Sequence, residues 1–324
     1  MDPRKLGRSN IKISPIGLGC YAIGGTFKIE NGKPWGWSDV EDAESIRAIH
    51  AGLELGINFL DTAQAYGCGH SETVIGKAIK GRRDKVVLAT KFGKQIDEVN
   101  KQVLGSSIAP ADIKQGCEDS LRRFGTDYID LFQWHESSGA LEDVPAVIAV
   151  LEELVAEGKI RYYGWSTDDP ERVRAFAQYK NCVAVQNRMH VFDTPTELLA
   201  LCDELNLASI NRGPLMMGIL TGKFNADSKF DEEDVRHSLR FDFSQGRLSE
   251  ILAKVESIRE ILTADGRTMA QGALGWILAK SNRTIPIPGF KNVKQVEQNA
   301  GVLDFGPLAE TQIKELDALI QITE

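Results

Sequence analysis

Three ionisable residues each close a short apolar run in this sequence: Asp61, Lys91 and His135. A charged side chain at the end of an apolar strand is costly to desolvate unless it is paired. Taken alone, each of the three residues is equally well explained as the position at which its strand reaches solvent, without any functional role. The presence of all three favours a functional site, because the strands of a closed parallel barrel bring their carboxyl ends to one rim.

Tyr66 follows Asp61 closely and adds the group that such a site needs for proton transfer. A free tyrosine has a pKa of about 10 and is a poor acid at neutral pH. A nearby ammonium group lowers that pKa by favouring the phenolate, and a carboxylate keeps the ammonium charged and in place. Asp61, Lys91 and Tyr66 therefore predict a tuned proton donor, and a neutral His135 beside them would orient a carbonyl oxygen.

The elements that position these residues alternate between short apolar runs and longer amphipathic runs. Apolar runs without polar alternation are typical of strands buried on both faces of a parallel sheet. Eight such runs lie at residues 16–20, 57–61, 86–91, 129–135, 160–166, 183–187, 208–212 and 284–289. The amphipathic runs predict helices, for example one that begins near Pro110 and ends at Gly125. This alternation predicts an α/β fold, a single (β/α)8 TIM barrel over residues 1–324.

The chain of 324 residues is about 74 residues longer than a bare barrel. Residues 5–14 predict an N-terminal hairpin, residues 213–246 a long loop after the seventh strand, and residues 308–322 an extra C-terminal helix. Residues 22–39 are a second irregular segment after a strand. Because loops after strands lie on the catalytic face, we expect the substrate pocket to be lined by Trp35, Trp37, Phe92, Met216 and Met217.

Composition excludes several classes of protein. The net charge of −8 is poorly suited to nucleic acid or to an anionic membrane, although a local basic pocket stays open. The five cysteines form no C-x-x-C pair and no zinc-site spacing, which indicates a reduced compartment and no metal site. The N-terminus lacks the features of a signal peptide, and no apolar run approaches ~18 residues. We therefore expect a cytoplasmic protein, and nothing in the sequence indicates a protein partner.

Four separated motifs stand in a fixed order along the chain. They are Asp61-Thr62-Ala63 leading to Tyr66-Gly67, then Ser71-Glu72 with Gly76, then Ala89-Thr90-Lys91, and finally the run YIDLFQWH that ends at His135. Together they resemble the signatures of the aldo-keto reductase family over nearly the whole chain. The resemblance implies a tetrad in which Tyr66 donates the proton, Lys91 lowers its pKa, Asp61 holds Lys91 and His135 orients the substrate.

The resemblance also implies a nicotinamide cofactor as the source of hydride, usually NADPH, with NADH possible. Lys291 and the backbone amides at the start of the helix at Asn292 would form an anion site for a 2′-phosphate. The residues expected to contact the cofactor are Gly19, Cys20, Tyr21, Asp61, Ser166, Gln186, Arg212, Gly213, Pro214, Leu215, Gly218, Leu220, Gly222, Lys223, Gly289, Lys291, Gln295, Gln298 and Asn299.

The sequence departs from the family pattern at three positions. Thr167 replaces an Asn, and Arg212 replaces the Tyr that stacks on the nicotinamide in many members, which indicates a subset of the family. Arg can stack on a flat ring, and its charge would weaken binding of the oxidised, positively charged cofactor relative to the reduced form. Gln295 replaces an Arg that several relatives place on the 2′-phosphate, so the preference for NADP over NAD is left open.

We predict an NADPH-dependent reductase of small aldehydes or ketones. Two alternatives remain. A lysine-dependent aldolase would use Lys91 to form a Schiff base, but it would leave Tyr66, Arg212 and Lys291 without a function. A redox-sensing regulatory subunit would bind NADPH and turn over slowly.

Overall fold

The computed structural model describes residues 1–322, so the last two residues of the predicted barrel domain lie outside it. The strands within the described residues are β1 (Arg4–Lys5), β2 (Lys12–Ile13), β3 (Leu18–Gly19), β4 (Thr26–Lys28), β5 (Pro34–Gly36), β6 (Phe59–Asp61), β7 (Val87–Phe92), β8 (Lys94–Asp97), β9 (Gln102–Ser106), β10 (Ile129–Trp134), β11 (Ile160–Ser166), β12 (Cys182–Arg188), β13 (Ala208–Arg212) and β14 (Thr284–Pro286).

The helices surround these strands. They are α1 (Asp42–Glu54), α2 (His70–Ile79), α3 (Pro110–Phe124), α4 (Val144–Ala156), α5 (Pro170–Ala177), α6 (Thr196–Leu205), α7 (Val235–Ser238), α8 (Gly246–Ser257), α9 (Arg259–Leu262), α10 (Met269–Lys280), α11 (Val293–Ala300), α12 (Val302–Phe305) and α13 (Glu310–Ile322). Helix α3 has the predicted Pro at its start, and Gly125 ends it in a left-handed conformation. Of the described helices, none is long and apolar enough to cross a membrane.

Eight parallel strands form the barrel, in the order β3, β6, β7, β10, β11, β12, β13, β14. The sheet closes through main-chain hydrogen bonds, since the Gly17 N–H donates to the Pro286 carbonyl at 2.9 Å and the Gly19 N–H to the Pro288 carbonyl at 3.0 Å. A Cβ on Gly19 would overlap the Ile287 carbonyl, so the close approach requires glycine here. The predicted (β/α)8 barrel is confirmed, and each of its eight strands overlaps one of the predicted runs.

The barrel interior and its floor share one apolar cluster. Phe59, Leu131 and Ile285 point into it from three barrel strands, and Leu6 and Ile13 join it from the N-terminal hairpin of β1 and β2. The hairpin therefore seals the end of the barrel opposite the site, which confirms the predicted element. Burying these side chains contributes stability at roughly 25 cal/mol per Å² of apolar surface.

The irregular segments contain more structure than the sequence predicted. Strands β5, β4, β9 and β8 form a separate four-stranded sheet, which we call the cap sheet. Two of these strands come from residues 22–39, which we expected to be a loop, and the β8–β9 hairpin was not predicted at all. Each cap strand has only three to five residues, too few for a periodic pattern to stand out. The loop 213–246 carries the short helix α7.

Candidate active site

Four side chains meet at the carboxyl rim of the barrel. Asp61 ends β6, Lys91 lies near the end of β7, His135 follows β10, and Tyr66 lies in the turn after Asp61. The Lys91 ammonium donates to Asp61 Oδ1 at 2.7 Å and to the Tyr66 hydroxyl at 3.4 Å. The Tyr66 and His135 rings lie edge to face with centroids 5.9 Å apart. The structure thus brings together all four residues that the motifs singled out.

Asp61 is held by more donors than the sequence suggested. Its Oδ2 accepts a hydrogen bond from Gln186 Nε2 at 2.7 Å and another from Gln133 Nε2 at 3.1 Å. Lys91 also donates to the Thr62 carbonyl at 2.7 Å. Because Asp61 and Lys91 are both fully buried, these additional bonds offset the cost of removing two charges from water.

The buried pair keeps Lys91 charged. Burial alone would lower the pKa of Lys91, but the Asp61 carboxylate and the Tyr66 hydroxyl outweigh it and raise that pKa above its usual value. The pKa of Tyr66 also lies above its usual value, because burial raises it more than the Lys91 ammonium lowers it. Lys91 lowers the pKa of Tyr66 as expected, but burial, which the sequence did not show, has the larger effect. The Tyr66 hydroxyl is therefore uncharged at physiological pH.

His135 is uncharged in this setting. Burial holds its pKa well below the usual value, and the positive charges of Lys91, Lys94 and Arg212 add to the effect. Its Nδ1 atom is buried and has no hydrogen-bond partner within the described part of the chain. A neutral imidazole carries one N–H donor and one acceptor, so it can donate a hydrogen bond to a carbonyl oxygen without adding charge.

A cavity of about 840 Å³ runs from this rim beneath the loop 213–246, and we call it the cofactor cavity. Most of the residues that we expected to contact a cofactor line it. They are Gly19, Cys20, Tyr21, Asp61, Gln186, Arg212, Gly213, Pro214, Leu215, Gly218, Lys223, Gly289, Lys291, Gln295, Gln298 and Asn299.

Three expected cofactor residues lie outside this lining. Ser166 is buried at the end of β11, where it pairs in register with Gln186. Leu220 is fully buried in the core, because the turn that contains it directs its side chain away from the cavity. Gly222 occupies a left-handed position at the end of the same turn and packs near Met269.

Five cationic side chains line the cofactor cavity: Arg212 near the rim, and Lys223, Arg236, Lys291 and Lys294 farther from it. Burial lowers the pKa of Lys223, and repulsion from Arg236 and Lys291 lowers it further. An anionic ligand would relieve this repulsion, so the donor set fits the phosphate groups of a dinucleotide. The buried Trp37 Nε1 in the same wall has no partner among the described residues, which leaves one more donor for a ligand.

Arg236 was not predicted. It forms a forked ion pair with Asp234, at 2.8 Å from Nε to Oδ1 and 2.7 Å from a terminal nitrogen to Oδ2. Its guanidinium also lies 4.5 Å from the Trp37 ring centroid and 4.2 Å from that of Phe230. These contacts fix α7 against the cavity. A lone Arg in an irregular segment carries no periodic signal, so the sequence could not have singled it out.

The start of α11 differs from the expected anion site. The Val293 N–H donates to Glu44 Oε1 at 2.9 Å, and the Gln295 N–H to Asn292 Oδ1 at 3.0 Å. The Lys291 ammonium donates to the Ser38 carbonyl at 2.8 Å. Two helix amides that we assigned to a phosphate are therefore already paired, one of them with a carboxylate from α1.

A second cavity of about 720 Å³ opens beside Tyr66 and His135, and we call it the substrate cavity. Trp35 and Met217 line it as expected. Trp37 instead lines the cofactor cavity. Phe92 is buried in the core with its ring 4.8 Å from that of Phe132, so our assignment of Phe92 to the pocket was wrong.

Met216 packs against the core rather than into either cavity, so its assignment to the pocket was also wrong. Both Met216 and Met217 have left-handed backbone angles, with φ of 48° and 54°. This tight turn directs the two neighbouring side chains to different sides, which periodicity cannot predict. Gln133 is the other site residue that the sequence analysis did not name, although its position two residues before His135 in the same predicted run already placed it on the inward face.

Known proteins with similar sequences lead to the same conclusion as this geometry. The aldo/keto reductase family profile matches residues 16–321. The chain is similar to the aldo-keto reductase YhdN of Bacillus subtilis, with 32% identity over 329 residues, 100% of this chain and 95% of the relative. The chain therefore belongs to the aldo/keto reductase family, and its class of activity is that of an oxidoreductase.

Solved structures show the same similarity. A glycerol dehydrogenase from Gluconobacter oxydans superposes with a TM-score of 0.84 at 29% identity, over 99% of this chain and 96% of its own. An aldo-keto reductase from Klebsiella pneumoniae, solved in complex with NADPH, has a TM-score of 0.73 at 27% identity, over 99% of this chain and 95% of its own.

Proposed function

We propose that this protein reduces aldehydes or ketones to alcohols with NADPH, and that the whole chain acts as one catalytic domain. The observation that carries the proposal is the buried Lys91 ammonium. It bridges Asp61 and Tyr66 at 2.7 Å and 3.4 Å, at the point where the cofactor cavity and the substrate cavity meet. A buried charge paired in this way beside a second titratable group is typical of functional sites.

The cofactor cavity supports NADPH as the partner of this site. When bound, NADPH supplies the hydride that no side chain can provide. Lys223, Arg236, Lys291 and Lys294 would hold its phosphate groups, and Gln186 would hold its carboxamide. The NADPH complex of the Klebsiella pneumoniae relative supports the same choice of cofactor.

Each side chain at the rim has a separate role in protonating the carbonyl oxygen. The Tyr66 hydroxyl donates its proton to that oxygen as the C–O double bond is reduced. The Lys91 ammonium stabilises the phenolate that remains, and Asp61 keeps Lys91 charged and in place. The neutral His135 donates a hydrogen bond that orients the carbonyl oxygen toward Tyr66.

The charge of Lys91 argues against the aldolase alternative. Schiff-base formation needs a neutral amine, whereas the Asp61 carboxylate raises the pKa of Lys91 despite its burial. Borohydride treatment with a carbonyl substrate should therefore trap no covalent adduct. A redox-sensing subunit would retain the cofactor cavity but turn over slowly, so turnover numbers decide between that alternative and a dedicated reductase.

The proposed function is tested by cofactor fluorescence titrations with NADPH and NADH, followed by a panel of aldehydes and ketones. We expect saturable binding of NADPH and its oxidation in the presence of at least one class of carbonyl compound. Binding of NADPH without oxidation by any member of a broad panel would overturn the reductase assignment.

A further inference from the structure

The walls of the substrate cavity indicate which carbonyl compounds it accepts. Resting on the proposed function, we propose that the substrate cavity selects neutral aldehydes or ketones whose body is apolar, such as an aromatic ring or an alkyl chain. It would discriminate against compounds whose body carries a carboxylate. This selectivity comes from the cap sheet and from α7, and not from the barrel.

The reacting end of a substrate has a fixed position in this cavity. Tyr66 and His135 form one part of its wall, so the carbonyl group must face them. The remaining wall must then surround the rest of the molecule. That wall consists mainly of apolar side chains from segments outside the barrel, namely Phe27, Ile29, Trp35, Val103, Val235 and Leu239.

The apolar wall belongs to the cap sheet and the loop 213–246. Phe27 and Val103 are only 7% exposed and share a small core of their own with Ala65 and Cys68. This core fixes two of the wall side chains independently of any ligand. A wall that is rigid and apolar favours an apolar body, because its burial needs no new hydrogen bonds.

The one basic side chain in this wall is already paired. The Lys94 ammonium lies 2.9 Å from Glu136 Oε2 and donates to Ser106 Oγ at 2.7 Å. A substrate carboxylate would have to displace Glu136 to use this charge. The exposed Glu30 in the same wall would repel it. A charged body therefore loses its hydration in the cavity without gaining a partner.

The test compares two para-substituted benzaldehydes of similar size and reactivity. We expect kcat/KM for 4-methylbenzaldehyde to exceed that for 4-carboxybenzaldehyde by at least about tenfold, the cost expected for desolvating an unpaired charge. Equal values, or a preference for the carboxylate, would overturn the proposal and would assign Lys94 to substrate binding.

A variant tests whether the selectivity depends on the apolar wall of the substrate cavity. Val103→Thr keeps the shape of the side chain but places a hydroxyl in the wall. We expect the ratio of kcat/KM for 4-methylbenzaldehyde to that for propanal to fall about fivefold. The control is Val99→Thr, the same change on the turn of the same hairpin, where the side chain is 90% exposed. An unchanged ratio in Val103→Thr would contradict the role of the cap sheet.

A binding measurement separates this proposal from the proposed function. Amides are not reduced, so calorimetric titration with 4-methylbenzamide and 4-carboxybenzamide reports on the cavity alone. We expect the neutral amide to bind at least about tenfold more tightly. If no aldehyde is reduced but the neutral amide binds more tightly, the reductase assignment fails and the selectivity stands. If aldehydes are reduced but the two amides bind equally, only the selectivity fails.

Discussion

Asp168 forms an ion pair with Arg212 at the edge of the cofactor cavity. Asp168 Oδ1 also accepts the Arg188 N–H at 2.6 Å, so the carboxylate is fixed to β12 and holds Arg212 in turn. Arg212 lies in the same wall as Tyr66, and its charge lowers the pKa of His135. The pair therefore places a positive charge near the reacting groups and partly neutralises it.

Removing the negative charge of Asp168 should leave the positive charge of Arg212 without compensation. In Asp168→Asn we expect the Kd of NADP+ to rise about threefold relative to that of NADPH, because the oxidised ring is positively charged and the reduced ring is not. Arg212→Tyr should change the ratio in the opposite direction. Fluorescence titration of both cofactor forms measures it.

The matched control is Asp193→Asn, because Asp193 forms an ion pair of similar exposure with Arg188 and does not line the cofactor cavity. We expect it to leave both Kd values unchanged. An unchanged ratio in Asp168→Asn as well would show that Arg212 does not act on the nicotinamide.

Glu44 should weaken the binding of a 2′-phosphate. Its carboxylate accepts the Val293 N–H at the start of α11, and this bond together with Arg47 lowers the pKa of Glu44. It is therefore negatively charged at neutral pH. In Glu44→Gln we expect a several-fold lower Kd for NADPH and little change for NADH, because only NADPH carries the 2′-phosphate. Equal changes for the two cofactors would place the phosphate elsewhere.

The pH dependence of reduction follows from the directions of two pKa values. The donor form of Tyr66 is the protonated one, and its pKa lies above its usual value. We expect kcat/KM to stay level from about pH 7 to pH 9 and to fall only above about pH 10. The pKa of His135 lies well below its usual value, so His135 adds no break near its ordinary pKa. A break near pH 6.5 that disappears in His135→Asn would show that His135 titrates there.

The N-terminal hairpin depends on a single glycine. Gly7 has a φ of 54°, and a Cβ there would overlap the carbonyl oxygen of Val183. We expect Gly7→Ala to lower the free energy of unfolding by about 3 kcal/mol, from the overlap and the left-handed strain together. Gly158→Ala is the control, since Gly158 is left-handed in open space and should cost only about 1 kcal/mol. Equal losses in urea unfolding would mean that the hairpin moves to accommodate the Cβ.

The barrel and the tetrad were predictable because their signals are local. Strands buried on both faces appear as continuous apolar runs, and Asp61, Lys91 and His135 each end such a run. The cap sheet was not predictable, since its strands are short and contain polar residues and glycines that do not alternate regularly. The side-chain directions at Met216 and Met217 were not predictable for a related reason. Left-handed backbone angles redirect side chains without any change of residue type.

Other features depend on tertiary distances that no sequence pattern contains. The net pKa of Tyr66 is the difference between burial and the charge of Lys91, and the sequence shows only the second contribution. The contact of Glu44 with α11 joins residues that are far apart in the chain. Arg236 reaches the cofactor cavity only because the loop 213–246 folds over it.

Single-turnover reduction by Tyr66→Phe tests the central claim most directly. The variant keeps the ring and removes only the hydroxyl that Lys91 contacts at 3.4 Å. We predict that the rate of carbonyl reduction falls at least about 100-fold, while the Kd of NADPH stays within about twofold of the wild-type value. Reduction at the wild-type rate with NADPH bound would contradict the assignment of Tyr66 as the proton donor.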